Sequence, residues 1–308
     1  MRAVAITSFG EPDVLSVVDL PVPQPGAGQV RIKVAAAAVN NFDLVARAGW
    51  LGPMLPAGPQ YVFGWDVAGT VDALGAGTTG YAVGDAVIGM SDWLDTKAGT
   101  QAEYVVLDTA AIAPAPSGVS LIEAATLPVN ALTVLQSLDL AALQAGETLA
   151  VTGAAGAVGG YAVELARQRG LKVVAISASR DEPFLVTRGA TFVPRSDDPV
   201  RSLHDRYPDG VDAVLDAATI GPSMIQAVRD GGVFVSLTPP KTPEAERGIR
   251  VYRAHAQSDG RQLRALAELV GQGHLTLRVA ETFSFEDAPK AHAAMLKGGL
   301  RGRVVLVP

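Results

Sequence analysis

The chain has 308 residues, of which 48% are hydrophobic and 18% charged, and its formal net charge is −6 at pH 7. This composition is typical of a globular protein with enough apolar residues for two domains of ordinary size. Because the charge is negative and no Lys or Arg cluster stands out, we expect no nucleic-acid partner. Cysteine is absent, which excludes disulfides, thiolate nucleophiles and cysteine-bound zinc.

Membrane segments are not predicted. The longest apolar run, Leu149 to Val163, is rich in glycine and lies between Glu147 and Glu164, so it does not have the character of a membrane span. The first residues have too short an apolar stretch for a signal peptide. We therefore expect no membrane partner and a cytoplasmic location.

The first third of the chain predicts short strands. Apolar or β-branched residues fill Ala3 to Ile6, Leu15 to Asp19 and Val30 to Ala37, and a turn rich in Pro and Gly precedes the third run. A short helix is predicted after Asn40, since Asn favours a helix start and Gly49 favours its end.

Short β segments separated by glycine turns continue from Gly64 to a strand around Ala102 to Leu107. No long helix is predicted between them. This pattern predicts a compact antiparallel or barrel-like domain that ends at about Pro114.

From about Pro114 the pattern alternates between strand and helix. A helix is predicted after Pro128, followed by strands at Thr148 to Thr152, Lys172 to Ser177, Thr191 to Val193, Val211 to Asp216, Gly232 to Leu237 and Ile249 to Tyr252. Six strands with crossovers between them predict a doubly wound parallel sheet. The last predicted elements are helices at Arg261 to Gly271 and Ala288 to Leu296 and a strand at Arg303 to Val307.

A glycine-rich turn joins the first strand of this alternating region to the next helix. Three glycines have the spacing G-x-x-G-x-x-G, and an anion is favoured there because free amides and the helix dipole converge on the turn. Gly156 and Gly159 match the usual dinucleotide fingerprint, whereas Ala154 stands at its first glycine position. Gly156 would let the backbone approach a pyrophosphate, and Gly159 would let helix and strand pack closely. We therefore predict cofactor contacts from the turn residues Ala155, Gly156, Ala157 and Val158, with a mere packing turn as the alternative.

The end of the second strand favours NADPH over NADH. Dinucleotide folds that bind NAD carry an acidic residue about 20 residues after the glycines, whereas NADP proteins carry small or basic groups there. In this chain Ser177, Ser179 and Arg180 offer hydrogen-bond donors and a positive charge, which suit a phosphate. Asp181 and Glu182 follow, and the alternative is that these residues only begin the next helix.

Six short motifs occur in a characteristic order and spacing. They are Ala38-Val39-Asn40-Asn41-Phe42-Asp43 with Arg47 and Gly49, Gly64-Trp65-Asp66-Val67-Ala68-Gly69, Gly84-Asp85-Ala86-Val87, Leu127-Pro128 with Thr133, Ala154-Ala155-Gly156-Ala157-Val158-Gly159, and Gly302-Arg303-Val304-Val305-Leu306. Together they resemble the quinone oxidoreductase branch of the medium-chain dehydrogenase/reductase superfamily, the zinc-free relatives of zinc alcohol dehydrogenases. The resemblance implies an α/β protein in which a Rossmann doubly wound parallel sheet is inserted into a GroES-like, β-rich catalytic domain. It assigns residues 1–115 and 253–308 to the catalytic domain and 116–252 to the NADPH-binding domain.

The resemblance also implies a site without metal. In the zinc relatives a catalytic cysteine would fall at Asn40 and a ligand histidine at Trp65, and both are missing here. The four histidines of the chain show no ligand spacing. By resemblance, Asn40 is a polar group beside the nicotinamide or the substrate carbonyl, with helix capping as the alternative role.

Further site residues are also implied. Thr133 is similar to a family threonine near the nicotinamide carboxamide, and Leu237 and Thr238 should meet the nicotinamide end through backbone atoms. Many relatives have a tyrosine where this chain has Val45. For the substrate pocket we predict three aromatic side chains that can stack on a flat molecule, with packing as the alternative for each: Trp50, Tyr61 and Trp93.

We therefore predict transfer of hydride from NADPH to a quinone or an α,β-unsaturated carbonyl, without metal and in a homodimer, because relatives commonly pair. Two alternatives stay open: an enoyl or aldehyde/alcohol reductase of the same superfamily, and a non-catalytic NADPH-binding redox sensor. A short-chain dehydrogenase is not favoured, since no tyrosine of the chain has lysine four residues later.

Overall fold

The computed structural model describes residues 1–55, 58–237 and 239–308, without the side chains of Pro53 and Pro239. Within these ranges the chain divides into two compact units. The first unit contains Met1–Val129, Gln257–Gly273 and Leu277–Pro308, and the second contains Asn130–Ala256 and His274–Thr276.

The first unit is built on two sheets that are mostly antiparallel. Its strands are β1 (Arg2–Ile6), β2 (Ser16–Asp19), β3 (Gln29–Ala38), β4 (Tyr61–Val62), β5 (Asp66–Leu74), β6 (Ala86–Met90), β7 (Tyr104–Asp108), β8 (Ile112–Pro114), β15 (Val279–Ser284) and β16 (Arg303–Val307). One sheet has the order β2-β1-β4, and the other has the order β15-β16-β3-β5-β6-β8, with β7 also paired to β3. Only β15 and β16 run parallel among these pairs. The predicted antiparallel character of this region is confirmed.

Short helices connect and cover these strands. In the first unit they are α1 (Asn41–Arg47), α2 (Trp93–Thr96), α3 (Leu121–Ala124), α8 (Gly260–Gly271) and α9 (Ala288–Lys297), with 3-10 turns at Pro12–Val14, Gly52–Met54, Thr109–Ala111 and Phe285–Asp287. The core between β3, β5 and β7 is aliphatic, with Ile32, Val67 and Val105 among its buried residues. This core fixes the strands because alternate side chains of each strand point inward.

The second unit is a doubly wound parallel sheet. Its strands are β9 (Thr148–Thr152), β10 (Lys172–Ser177), β11 (Thr191–Pro194), β12 (Val211–Asp216), β13 (Val228–Ser236) and β14 (Arg250–Arg253). All the neighbouring pairs are parallel, in the order β11-β10-β9-β12-β13-β14. In chain order this is 3-2-1-4-5-6, the arrangement of dinucleotide-binding folds. The prediction of an α/β protein with a parallel Rossmann-like sheet is confirmed.

Helices cross between these strands. They are α4 (Pro128–Ala141), whose first residues belong to the first unit, α5 (Ala157–Gln168), α6 (Glu182–Val186) and α7 (Pro199–His204), with 3-10 turns at Ser179–Asp181, Pro222–Ala227 and Pro239–Lys241. The residues of β9, β10 and β12, at the centre of the sheet, are almost all buried, which explains why these strands form near-continuous apolar runs in the sequence. No helix within the described ranges is long and apolar enough to cross a membrane.

The sequence analysis missed three strands of the first unit: the short β4 and β8, and the longer edge strand β15. β15 (Val279–Ser284) pairs in parallel with β16 at the edge of the larger sheet, and none of its residues is fully buried. An exposed edge strand needs no apolar stripe, so its sequence carries little periodic signal.

Gly159 is required where α5 crosses the end of β9. A Cβ atom at Gly159 would lie 2.7 Å from the Ala154 Cα and closer still to the Gly153 carbonyl oxygen. Both obstacles are backbone atoms, so neither can rotate away. The predicted close packing of helix and strand at this glycine is therefore visible in the structure.

We expect Gly159→Ala to lower the free energy of unfolding by about 1–3 kcal/mol, because the added methyl group overpacks the turn. Chemical denaturation of the two proteins measures this difference. Gly52→Ala is the matched control, since among the described residues its Cβ would meet the Phe9 ring at an ordinary 3.5 Å. Equal losses for the two variants would contradict the steric argument.

Candidate functional site

The nucleotide turn lies at the carboxyl end of the parallel sheet. β9 ends at Thr152, the Gly156 N–H donates to the Gly153 carbonyl at 2.8 Å, and α5 begins at Ala157. Gly156 to Val158 are half-buried, whereas Ala155 is buried. Because the first N–H groups of a helix have no partner within the helix, this turn can accept a phosphate group between β9 and α5. The predicted residues 155–158 lie together here.

Asp216 supports the turn from the neighbouring strand. Its buried carboxylate accepts from the Thr152 hydroxyl at 2.6 Å and from the backbone N–H groups of Ile220 and Gly221. The Ala218 N–H in turn donates to Thr152 Oγ1 at 2.9 Å. These contacts fix the loop after β12 beside the glycine turn. Sequence analysis did not identify Asp216 as a site residue, although an Asp that ends a buried apolar strand is a visible signal.

At the end of β10 the serine and arginine residues differ in their surroundings. The Ser177 hydroxyl donates to Asp181 Oδ2 at 2.7 Å, and both residues are buried. Its hydrogen is therefore already used within the protein. Ser179 and Arg180 are exposed on the 3-10 turn that follows. Of the three residues predicted for a phosphate, these two are accessible to one.

A second arginine, missed by the sequence analysis, lies near the same edge. Ser177 pairs with Pro194 across β10 and β11, and the Arg195 N–H donates to the Ser177 carbonyl at 2.7 Å. Arg195 is exposed. The fold thus brings a residue 18 positions away in sequence next to the strand end that carries Ser179 and Arg180. Only strand pairing, not local sequence, reveals it.

The other predicted cofactor residues are placed as follows. Thr133 lies half-buried in α4, one turn after its start. Leu237 is half-buried directly after β13, at the carboxyl end of that strand. Thr238 lies outside the described residues.

In the first unit, Asn40 belongs to a buried polar cluster, the Asp66 cluster, which we define as Asn40, Asp43, Asp66, Gln101 and Arg303. Asp66 is fully buried, and its Oδ2 accepts from Asn40 Nδ2 and from Arg303 Nη2, each at 2.9 Å. Its Oδ1 accepts from the Val129 N–H at 2.6 Å. Burial raises the pKa of Asp66, while the Arg303 charge and the two N–H donors oppose this rise.

Asp43 is the second buried carboxylate of the Asp66 cluster. Its Oδ2 accepts from the Asn40 backbone N–H at 2.8 Å and from Gln101 Nε2 at 3.1 Å. Asn40 and Asp43 form a capping box at the start of α1, so the capping role left open by the sequence is present. Burial raises the pKa of Asp43 to about 7, with Asp66 adding repulsion and the Asn40 amide and Arg303 opposing.

A histidine of α9 is also buried. His292 on α9 is fully buried, and burial together with the Arg47 charge lowers its pKa to about 3. Arg47 donates to the Gly10 carbonyl from its own buried position. His292 is therefore neutral at physiological pH and packs in the core. Within the described residues no three His, Cys, Asp or Glu side chains come together as a metal-binding group.

The predicted pocket aromatics fall into two groups. Trp93 is 2% exposed and packs edge-on against Phe63 and Trp65, with ring centroids 5.3 and 6.0 Å away. Its faces are thus covered, which is the packing role that the sequence left as the alternative. Tyr61 stacks on Phe9 at 5.7 Å, and Trp50 is 82% exposed. Those two remain accessible to a flat molecule.

Comparison with known families gives two matches along the chain. Residues 26–117 match the alcohol dehydrogenase GroES-like domain, and residues 188–306 match a zinc-binding dehydrogenase family. The two families cover the central strands of the first unit and most of the parallel sheet with the carboxyl-terminal strand. They agree with the fold expected from the motifs.

Individual proteins match over the whole chain. The 2-methylene-furan-3-one reductase of Solanum lycopersicum is 31% identical over 100% of this chain and 79% of its own length. The chloroplastic NADPH-dependent alkenal/one oxidoreductase of Arabidopsis thaliana is 29% identical over 100% of this chain and 80% of its own length. The structure of the quinone oxidoreductase from Coxiella burnetii superposes with a TM-score of 0.88 at 28% identity, covering 100% of this chain and 99% of the other.

The raised pKa of Asp43 predicts a pH-dependent stability. The pKa of Asp43 has its ordinary value of 3.8 in the unfolded chain and is about 7 in the folded chain. Between these two pH values the folded chain holds a proton that the unfolded chain has lost, so the contribution of Asp43 to stability falls as the pH rises. The free energy of unfolding of the wild type minus that of Asp43→Asn should therefore fall by up to about 1.4 kcal/mol per pH unit between pH 4 and 7. Denaturant titrations at several pH values measure it.

Using the difference between two proteins cancels the opposite contribution of His292, whose lowered pKa makes stability rise with pH up to about its ordinary value of 6.5. Asp212→Asn is the control. Burial raises the pKa of Asp212, but the Thr148 N–H and Arg229 lower it below its usual value. The free energy of unfolding of the wild type minus that of Asp212→Asn should therefore not change with pH above pH 4. A level difference for Asp43→Asn would show that Asp43 is ionised throughout the window.

Proposed function

We propose that this chain, which belongs to the quinone oxidoreductase branch of the medium-chain dehydrogenase/reductase superfamily, transfers hydride from NADPH to a quinone or an α,β-unsaturated carbonyl without a metal ion. Membership makes the chain an oxidoreductase with a nicotinamide cofactor. The observation that carries the proposal is the glycine turn between β9 and α5, with exposed arginines beside the next strand end.

The substrate class follows from the named activities of similar proteins. One acts on an enone-like furanone, one on alkenals and alkenones, and one on quinones. All three substrate types carry a carbonyl conjugated to a carbon–carbon double bond, so each can accept hydride and delocalise the resulting charge. An exposed Trp50 and the Phe9–Tyr61 stack offer flat surfaces for such a molecule.

NADPH is proposed over NADH because of charge near the end of β10. Ser179, Arg180 and Arg195 are exposed there, and a guanidinium binds phosphate through charge-assisted hydrogen bonds. The nearest carboxylate, Asp181, accepts the Ser177 hydroxyl and is buried. It is thus less available to bind ribose hydroxyls, as a carboxylate does in NAD-binding relatives.

The glycine turn fits a dinucleotide. A Cβ at Gly156 would come within 3.1 Å of the Gly153 carbonyl oxygen, so a side chain would fill the space through which a pyrophosphate reaches the helix amides. We propose that residues 155–158 bind the pyrophosphate and that Thr133, Leu237 and Thr238 lie near the nicotinamide. When bound, the cofactor supplies the hydride.

The site is proposed to work without metal. Asn40 and Trp65 occupy the positions where zinc relatives have a cysteine and a histidine, and Trp65 has no metal-binding atom. We propose that Asn40 faces the nicotinamide or the substrate carbonyl. The chain's own contribution is to orient the two reactants and to exclude water, while the proton that completes the reduction comes from solvent.

Two further points are proposed from family resemblance, and a third from the sequence itself. We propose a homodimer that pairs through an edge of the parallel sheet, where β11 and β14 lie. We propose domain bounds at residues 1–115 and 253–308 for the catalytic domain and 116–252 for the nucleotide domain. A cytoplasmic location also remains a prediction.

Cofactor choice can be tested with two variants and a matched control. Arg180→Gln and Arg195→Gln should each raise the dissociation constant for NADPH by about tenfold and leave that for NADH within about twofold, since each removes one charge-assisted phosphate contact. Arg250→Gln should change neither constant, because this exposed arginine lies at the opposite, amino end of β14. Fluorescence titration of the reduced cofactors measures both. Tighter binding of NADH by the wild type would contradict the assignment.

Catalysis is tested by following NADPH oxidation with a panel of quinones, enones and aldehydes. We expect turnover with quinones or enones and little with saturated aldehydes, whose alkoxide product is not delocalised. NADPH binding without turnover on any acceptor would favour the non-catalytic redox sensor instead.

A further inference from the structure

The side-chain amide of Asn40 is held in a single orientation. Its nitrogen lies 2.9 Å from Asp66 Oδ2 and 3.5 Å from the Ala38 carbonyl oxygen, and both of these atoms are acceptors. Turning the amide over would place its own oxygen against those two oxygens and replace attraction with repulsion. The amide hydrogens of Asn40 therefore face the protein.

Asp66 is itself fixed in place. Its two oxygens are bound by Arg303 Nη2 and by the Val129 N–H, in addition to Asn40. Asp66 is fully buried and Arg303 is 7% exposed. A buried carboxylate with a paired cation and a donor on each oxygen cannot turn towards water without losing these partners. Asp66 therefore holds the Asn40 amide in a fixed position.

We propose that Asp66 is a positioning residue for Asn40: it binds the amide nitrogen and so leaves Asn40 Oδ1 as a hydrogen-bond acceptor for an N–H or O–H group of the cofactor or substrate. This inference rests on the proposed function, in which Asn40 faces the reacting molecules. Capping of α1 uses one lone pair of Oδ1 at most, and an amide oxygen has a second lone pair with which to accept a hydrogen bond. Asn40 then accepts a hydrogen bond and does not donate one to a developing oxyanion.

A double-mutant cycle tests whether Asp66 acts through Asn40. Asp66→Asn keeps the size of the side chain but removes its charge, and we expect it to lower kcat by about tenfold. Asn40→Ala should lower kcat by a similar factor, and the double variant should match Asn40→Ala within about twofold, because there is no Asn40 amide left to position. Losses that multiply in the double variant would overturn the proposal.

Phe285→Leu is the matched control for general destabilisation. Phe285 is a fully buried core residue of the first unit, so its truncation should lower the thermal midpoint much as Asp66→Asn does. Its effect on kcat, whatever its size, should multiply with that of Asn40→Ala. If Phe285→Leu also causes no further loss of kcat when it is combined with Asn40→Ala, the cycle reports destabilisation rather than positioning, and the proposal fails.

A second readout does not depend on turnover, so it separates this proposal from the proposed function. When asparagine alone is isotope-labelled, the side-chain amide resonances are few, because Asn41 and Asn130 are the only other asparagines of the chain. In wild-type protein the two Asn40 amide protons should be shifted and slow to exchange, unlike those of the exposed Asn41. Asp66→Leu, which removes both acceptor oxygens, should abolish this difference. Fast exchange in the wild type would overturn the positioning role even if the enzyme is active. Slow exchange in a protein without turnover would support the orientation and reject the function.

Discussion

The buried charge of Asp66 is the constraint on which the first unit depends. A carboxylate that leaves water must receive hydrogen bonds and a counter-charge from the protein. Its donors come from Asn40, Val129 and Arg303, which are 26, 63 and 237 residues away in sequence. The hydrogen bonds of this one carboxylate therefore connect the start of α1, the start of α4 and β16 to the start of β5. The polar contact and the fold of this unit are formed together.

The second unit also contains a buried aspartate that fixes its neighbours. Asp216 ends β12 and accepts from Thr152 at the end of β9 and from two loop amides. In the first unit the buried aspartate binds Asn40, a proposed site residue, and in the second unit it fixes the loop after β12 beside the glycine turn. The physical benefit is the same: a group that must not move is bound to a carboxylate that cannot reach water.

Much of the fold could be predicted from sequence because its elements have strong local signals. β9, β10 and β12 have the bounds expected from their apolar runs, and the glycine turn follows from residue spacing. The edge strand β15 could not be predicted, since an exposed edge requires no apolar stripe. The candidate site could also be predicted only in part. Asn40 and the turn residues belong to local motifs, whereas the contacts of Asp66 and Arg195 arise only when distant strands pair.

The orientation of Asn40 also bears on which acceptors suit this protein. In the proposed site the Asn40 amide, whose hydrogens are bound by Asp66 and Ala38, contributes no donor to a substrate oxygen. Trp65, which by family resemblance stands at a zinc ligand's position, has no metal-binding side-chain atom. A saturated ketone or aldehyde needs such help, because its alkoxide concentrates charge on one oxygen. A quinone or enone spreads the charge over a conjugated system and therefore depends less on a hydrogen-bond donor or Lewis acid at its oxygen. The proposed site would therefore favour acceptors that can be reduced without a hydrogen-bond donor from Asn40.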